Sequence, residues 1–132
     1  MFLTFFRFGL VGASGAALNT IVFWLLSRHA PVIVAATFAF ELALLSNFAL
    51  NHHWTFRQQR SGSALQQLLR YQVSAVGGLL VQLVVLHVLV DLGLAPVIAN
   101  LAGIATAMGW NFTSSVLWTW RSTAVSPALA TS

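Results

Sequence analysis

The chain has 132 residues, of which 58% are hydrophobic and only 6% charged. A water-soluble domain carries about 25% charged residues, so this composition cannot cover a water-facing surface, and the bilayer must act as solvent. All six basic residues are arginine, the only acids are Glu41 and Asp91, and there is no cysteine. So few basic residues, placed at segment ends, suit anionic lipid and not nucleic acid. Disulfide and thiolate chemistry are excluded.

Four apolar segments follow one another, at about 5–27, 31–54, 69–90 and 95–119. Each reaches the length of about 20 residues that crosses roughly 30 Å of hydrocarbon. Their continuous apolarity excludes the alternation of barrel strands. The first segment contains Arg7 and stays apolar to Leu26, so it reads as a span and not as a cleaved leader. A short turn at Arg28–Ala30 leads to Pro31, which opens the second segment where a missing N–H costs nothing. That segment carries Glu41 near its middle and ends on Asn47-Phe48-Ala49-Leu50-Asn51-His52-His53-Trp54-Thr55-Phe56-Arg57. Gln58 to Leu68 forms the one polar connection. The third segment turns over at Asp91–Ala95, and Pro96 opens the fourth, which ends on Asn111-Phe112-Thr113-Ser114-Ser115-Val116-Leu117-Trp118-Thr119-Trp120-Arg121. Residues 122–132 read as a disordered tail.

The two closing stretches lie 64 positions apart and share five of eleven residues. The repetition runs through the whole chain. Arg7-Phe8 returns as Arg70-Tyr71; Gly12, Gly15 and Asn19 return as Ala75, Gly78 and Gln82; Ala30-Pro31-Val32-Ile33 returns as Ala95-Pro96-Val97-Ile98. Each unit holds two spans, so both start on the same side of the membrane. The expected fold is an all-α membrane protein of four transmembrane helices, arranged as two parallel-repeat helical hairpins in one domain, 1–121. Repeat 1 covers about 5–57 and repeat 2 about 69–121. Arg7, Arg57, Arg60, Arg70 and Arg121 fall on one side, and Arg28 alone on the other. The positive-inside rule then places both termini and the middle connection in the cytoplasm.

The arginine-tipped ends are the sharpest functional signal. Guanidinium grips phosphate oxygens in a fork and keeps its charge, so Arg57 and Arg121, assisted by Arg7 and Arg70, form a candidate phosphate site. The plainer reading is orientation and snorkelling at the interface. Asn47, Asn51 and Trp54 share one helix face, and Asn111, Ser115 and Trp118 repeat it. With Asn19 and Gln82, these amides either cross-link helices, for about 0.6 to 2 kcal/mol each, or line a polar cleft. Trp54 and Trp118 sit where interface anchors are expected. Glu41 has Ala105 as its counterpart, so duplication does not account for it. A charged carboxylate at that depth costs about 2.5 to 3.5 kcal/mol, which points to proton coupling, a substrate hydroxyl, or a neutral hydrogen bond to a neighbouring helix. His52 and His53 are adjacent and face different ways, so spacing gives no metal site. His87 and Asp91 are placed to pair structurally at the outer helix end. No nucleophile–base pair, phosphate loop or acidic cluster is present in the sequence; neither catalytic residues, cofactor nor metal are expected.

In their joint order these residues resemble the GtrA family. The matching pattern is Phe5-Phe6-Arg7-Phe8-Gly9-Leu10-Val11-Gly12, Asn19, Asn47 and Asn51 before Trp54-Thr55-Phe56-Arg57, then Arg70-Tyr71, Gly77-Gly78, Asn111-Phe112 and Trp118-Thr119-Trp120-Arg121. Where members often carry Arg or Lys after the second Asn, this chain has His52-His53. The resemblance implies a four-span protein of the bacterial inner membrane that handles polyprenyl-phosphate-linked sugars for cell-surface polysaccharide synthesis. The expected function is a flippase for a lipid-linked monosaccharide, working as a homodimer among membrane lipids, with Trp54 and Trp118 either stacking on the sugar ring or anchoring at the interface. The alternative is a scaffold that recruits or stabilises a glycosyltransferase. Ranked behind both is a small proton-coupled exporter, whose acid would sit on the first span and not the second.

Overall fold

The structure is a computed structural model and describes residues 1–60 and 62–121; the tail expected at 122–132 lies outside the described residues. The described residues form helices, turns and bends only. Helix α1 spans Phe2–Leu26 and α2 spans Val32–Leu50. α3 spans Ala64–Asp91 and α4 Pro96–Ser114. α2 and α4 each run on into one wide π-helical turn, Asn51–Thr55 and Ser115–Thr119. By length and composition, three helices can cross a membrane: Phe2–Leu26, Val32–Thr55 and Ala64–Asp91. Four such segments were expected. The fourth is helical where expected but falls short in apolarity, because Asn100, Thr106, Asn111, Thr113, Ser114 and Ser115 dilute it. Two of those polar groups are used against α3: Gln82 Nε2 donates to Asn100 Oδ1 at 3.1 Å, and Asn111 lies against Gly78.

The middle connection is shorter than the expected Gln58–Leu68. Residues 64–68 extend α3 backwards, since Ala, Leu and Gln are good helix formers, and Gln67 is buried where the chain was expected to be solvated. The turn between α3 and α4 closes as a Schellman motif. Gly93, at φ 95°, donates to the Val90 carbonyl at 2.9 Å, and Leu94 donates to the Leu89 carbonyl at 3.0 Å.

α1 packs along α2 and α3 packs along α4, while α2–α3 and α1–α4 touch only sparsely. Small residues make the close pairs possible. On α2, Ala35, Ala39 and Ala43 are buried four residues apart, and Ala99, Gly103 and Ala107 do the same on α4. In hydrocarbon, close backbone approach and dispersion hold helices together in place of a hydrophobic drive. Large apolar residues such as Phe38, Val73, Val84 and Leu101 point outward, as a lipid-facing surface requires.

The two helix pairs meet mainly at one end, in an aromatic layer. Phe8, Leu44, Phe56, Tyr71 and Trp120 form its buried core, with Phe48 and Phe112 packed against it. Phe56 and Trp120 stack with centroids 4.5 Å apart and planes 10° apart. Both directly follow a π-helical turn, with nearly equal backbone angles (φ −114°, ψ 26° and φ −112°, ψ 32°). The extra residue in each turn is what swings these two rings inward.

Candidate functional site

The helix register stacks three levels at this end: an arginine rim, the aromatic layer, and a polar cavity. Arg7 and Gly15, on the same helix, are separated by about 12 Å of rise. Arg70 and Gly78 repeat that separation on α3. At the rim, the Arg7 guanidinium lies 5.5 Å from the Trp54 ring centre, and that of Arg70 lies 5.8 Å from Trp118. Arg70 Nη1 also donates to the Trp118 carbonyl at 3.1 Å. Trp54 and Trp118 are therefore platforms for arginines at the rim, and neither lines the cavity. Arg57 and Arg121 are exposed and follow directly on the stacked Phe56 and Trp120. The Arg57 carbonyl accepts from Arg60 Nε at 3.2 Å. Arg28 sits apart from this set, 3.8 Å over the Trp24 ring.

In the aromatic layer, Asn51 Nδ2 donates to Tyr71 Oη at 3.3 Å, and Trp120 Nε1 donates to His52 Nδ1 at 3.4 Å. Asn51 is thus buried between the helix pairs and does not face the cavity. Phe48 stacks on both His52 and Trp120. Sequence reasoning missed Tyr71 and the Phe56–Trp120 stack, because ring-on-ring contact between distant segments leaves no local signature.

Beyond the layer lies a cavity of about 250 Å³. Asn19, Asn47, Gln82 and Asn111 all line it, together with Tyr71, Gly15 and Gly78. Four of the six polar groups read from the sequence therefore converge on one space. It continues towards the α1–α4 seam as a pocket of about 440 Å³ lined by Gly9, Gly12, Ala13, Ile104 and Met108. The missing side chains at Gly15 and Gly78 are what admit the amides: a Cβ at either would collide with Asn47 or Asn111 respectively. The Oδ1 atoms of Asn47 and Asn111 are buried and meet no protein donor. Both amides pack against the glycine of the neighbouring helix, Asn47 on Gly15 and Asn111 on Gly78.

Glu41 is not part of this cavity. It lines a separate pocket between α2 and α3, where Gln72 Nε2 donates to its Oε2 at 3.0 Å. At the opposite end of α3, His87 Nε2 and Asp91 Oδ2 pair at 3.5 Å on an exposed surface. Among the described residues, no group of three or more potential ligands gathers to hold a metal.

The family model for the GtrA/DPMS transmembrane domain matches residues 7–120. The dolichol-phosphate mannosyltransferase of Pyrococcus furiosus is 36% identical over 115 residues, which is 86% of this chain and 33% of that protein. The chain spans about a third of the length of this relative.

Proposed function

The chain belongs to the GtrA/DPMS transmembrane-domain family, and from that membership we propose that it translocates a polyprenyl-phosphate-linked monosaccharide across the cytoplasmic membrane. In this reading α4 with its π-helical turn is the fourth span, the two helix pairs are parallel repeats, and the arginine rim with both termini faces the cytoplasm. Arg57 and Arg121 bind the lipid phosphate, with Arg7 and Arg70 held beside them on their indole platforms. The sugar enters the amide-lined cavity, and the prenyl chain stays among lipids. Two copies act together, since four helices enclose little of so large a substrate.

One observation carries the reading. Asn19, Asn47, Gln82 and Asn111 surround a single cavity, and two of their carbonyl oxygens have no protein partner. The deciding experiment reconstitutes pure protein in liposomes with a fluorescent polyprenyl-phosphate sugar and follows its accessibility to a quencher. Arg57→Ala with Arg121→Ala is expected to abolish movement. Undiminished movement by a well-folded double variant removes the phosphate-site assignment.

A second reading has its own support. The matching segment is one third of a protein named as a mannosyltransferase, which favours a module that holds a lipid-linked sugar for a glycosyltransferase. It predicts that the pure protein moves no lipid, while a glycosyltransferase co-purifies with it and loses activity when it is removed.

A further inference from the structure

Glu41 is used by neither the rim nor the cavity. Its pocket, of about 370 Å³, is walled by Phe40, Leu44, Val73 and Val76, with Gln72 as its other polar group. Phe40, Val73 and Val76 are exposed on the helix surface, so the pocket opens sideways toward lipid. Phe40 and Leu44 also line the central cavity and form the wall between the two spaces. The Gln72 amide donates to one carboxyl oxygen. That leaves the other carboxyl oxygen and the Gln72 carbonyl as acceptors in an otherwise apolar slot. No ionisable side chain from α2 or α3 other than Glu41 lines it. The positions corresponding to Glu41 and Gln72 in the other half are Ala105 and Gly9, so the pocket at the α1–α4 seam lacks this polar pair.

An apolar slot holding two acceptors, one able to carry negative charge, is complementary to an apolar chain that bears a hydrogen-bond-donating cation. We propose that the Glu41–Gln72 pocket is a second, lateral binding site for a single-chain amphiphile bearing a primary ammonium group. This site stands independently of the lipid-sugar reading.

The test uses the full chain in nanodiscs of zwitterionic lipid and dicyclohexylcarbodiimide, an apolar reagent for protonated carboxyls. Glu41 and Asp91 are the only side-chain targets, and peptide mass spectrometry separates them. Glu41 is expected to be the modified residue, and Glu41→Gln to remove that adduct. Dodecylammonium is expected to protect Glu41 at least tenfold in a saturable manner. Dodecanol carries no charge, and dodecyltrimethylammonium charges the bilayer without an N–H to donate. Neither is expected to protect. Failure to label Glu41, no protection by dodecylammonium, or equal protection by either control overturns the assignment.

Discussion

The small residues of this chain set the positions of its large ones. A methyl group at Gly103 would stand 2.8 Å from the Gln82 carbonyl oxygen, a backbone atom that cannot move aside alone. Gly12 and Gly109 have nothing within 4 Å of such a methyl. Gly103→Ala is therefore expected to cost about 1 to 3 kcal/mol, the usual range for overpacking, while Gly12→Ala and Gly109→Ala stay near neutral. Reversible unfolding in mixed micelles measures the difference. Gly15 and Gly78 act on the site itself, because alanine there would push Asn47 or Asn111 out of place. Glu41 shows how far a residue can be read alone. Its oddity was plain from its depth in an apolar segment, and a hydrogen bond to a neighbouring helix was one of its expected solutions. Its partner Gln72, on another helix, was not legible.

At the scale of elements, the two π-helical turns matter most. Each inserts one extra residue before a large ring, and the N–H of Phe56 and of Trp120 reaches back five residues, to Asn51 at 2.8 Å and Ser115 at 2.9 Å. The rings then meet face to face and join the two helix pairs where their helices otherwise barely touch. Replacing Phe56 or Trp120 by alanine is expected to cost roughly 2 to 4 kcal/mol. That is below the 3 to 5 kcal/mol of a water-soluble core, because lipid receives exposed rings without penalty. The double variant is expected to reveal a coupling of about 0.5 to 1.5 kcal/mol, the range for stacked aromatic pairs. Equilibrium unfolding of both single variants and the pair supplies the cycle. Additive losses would mean that the stack is contact without coupling. Neither turn could be read beforehand: a π-helical turn differs from an α-helical one by a single hydrogen-bond shift, and no residue pattern enforces it.

At the scale of the whole molecule, orientation is the property on which the proposed function turns. The arginine bias predicts that the connection before α3 lies in the cytoplasm and the turn after α3 outside. The natural chain has no cysteine, so single cysteines report without background. Ser63→Cys is expected to react with a membrane-impermeant maleimide only after the cells are opened, and Leu94→Cys in intact cells. The reverse pattern would put the rim outside, away from any lipid phosphate presented by the cytoplasm.

The sequence by itself determined the solvent, the helices, and the two sets of equivalent positions, because hydropathy and repetition are summed along the chain and survive without coordinates. It also selected Asn19, Asn47, Gln82 and Asn111, since polar groups in an apolar segment must find a purpose. Only the tertiary structure decided how these groups divide. It sent those four to one cavity, buried Asn51 under Tyr71, set Trp54 and Trp118 beneath arginines, and gave Glu41 a pocket of its own. The reason is geometric. Spacing along one helix fixes which residues share a face, but which helix that face meets depends on the crossing of partners distant in the chain.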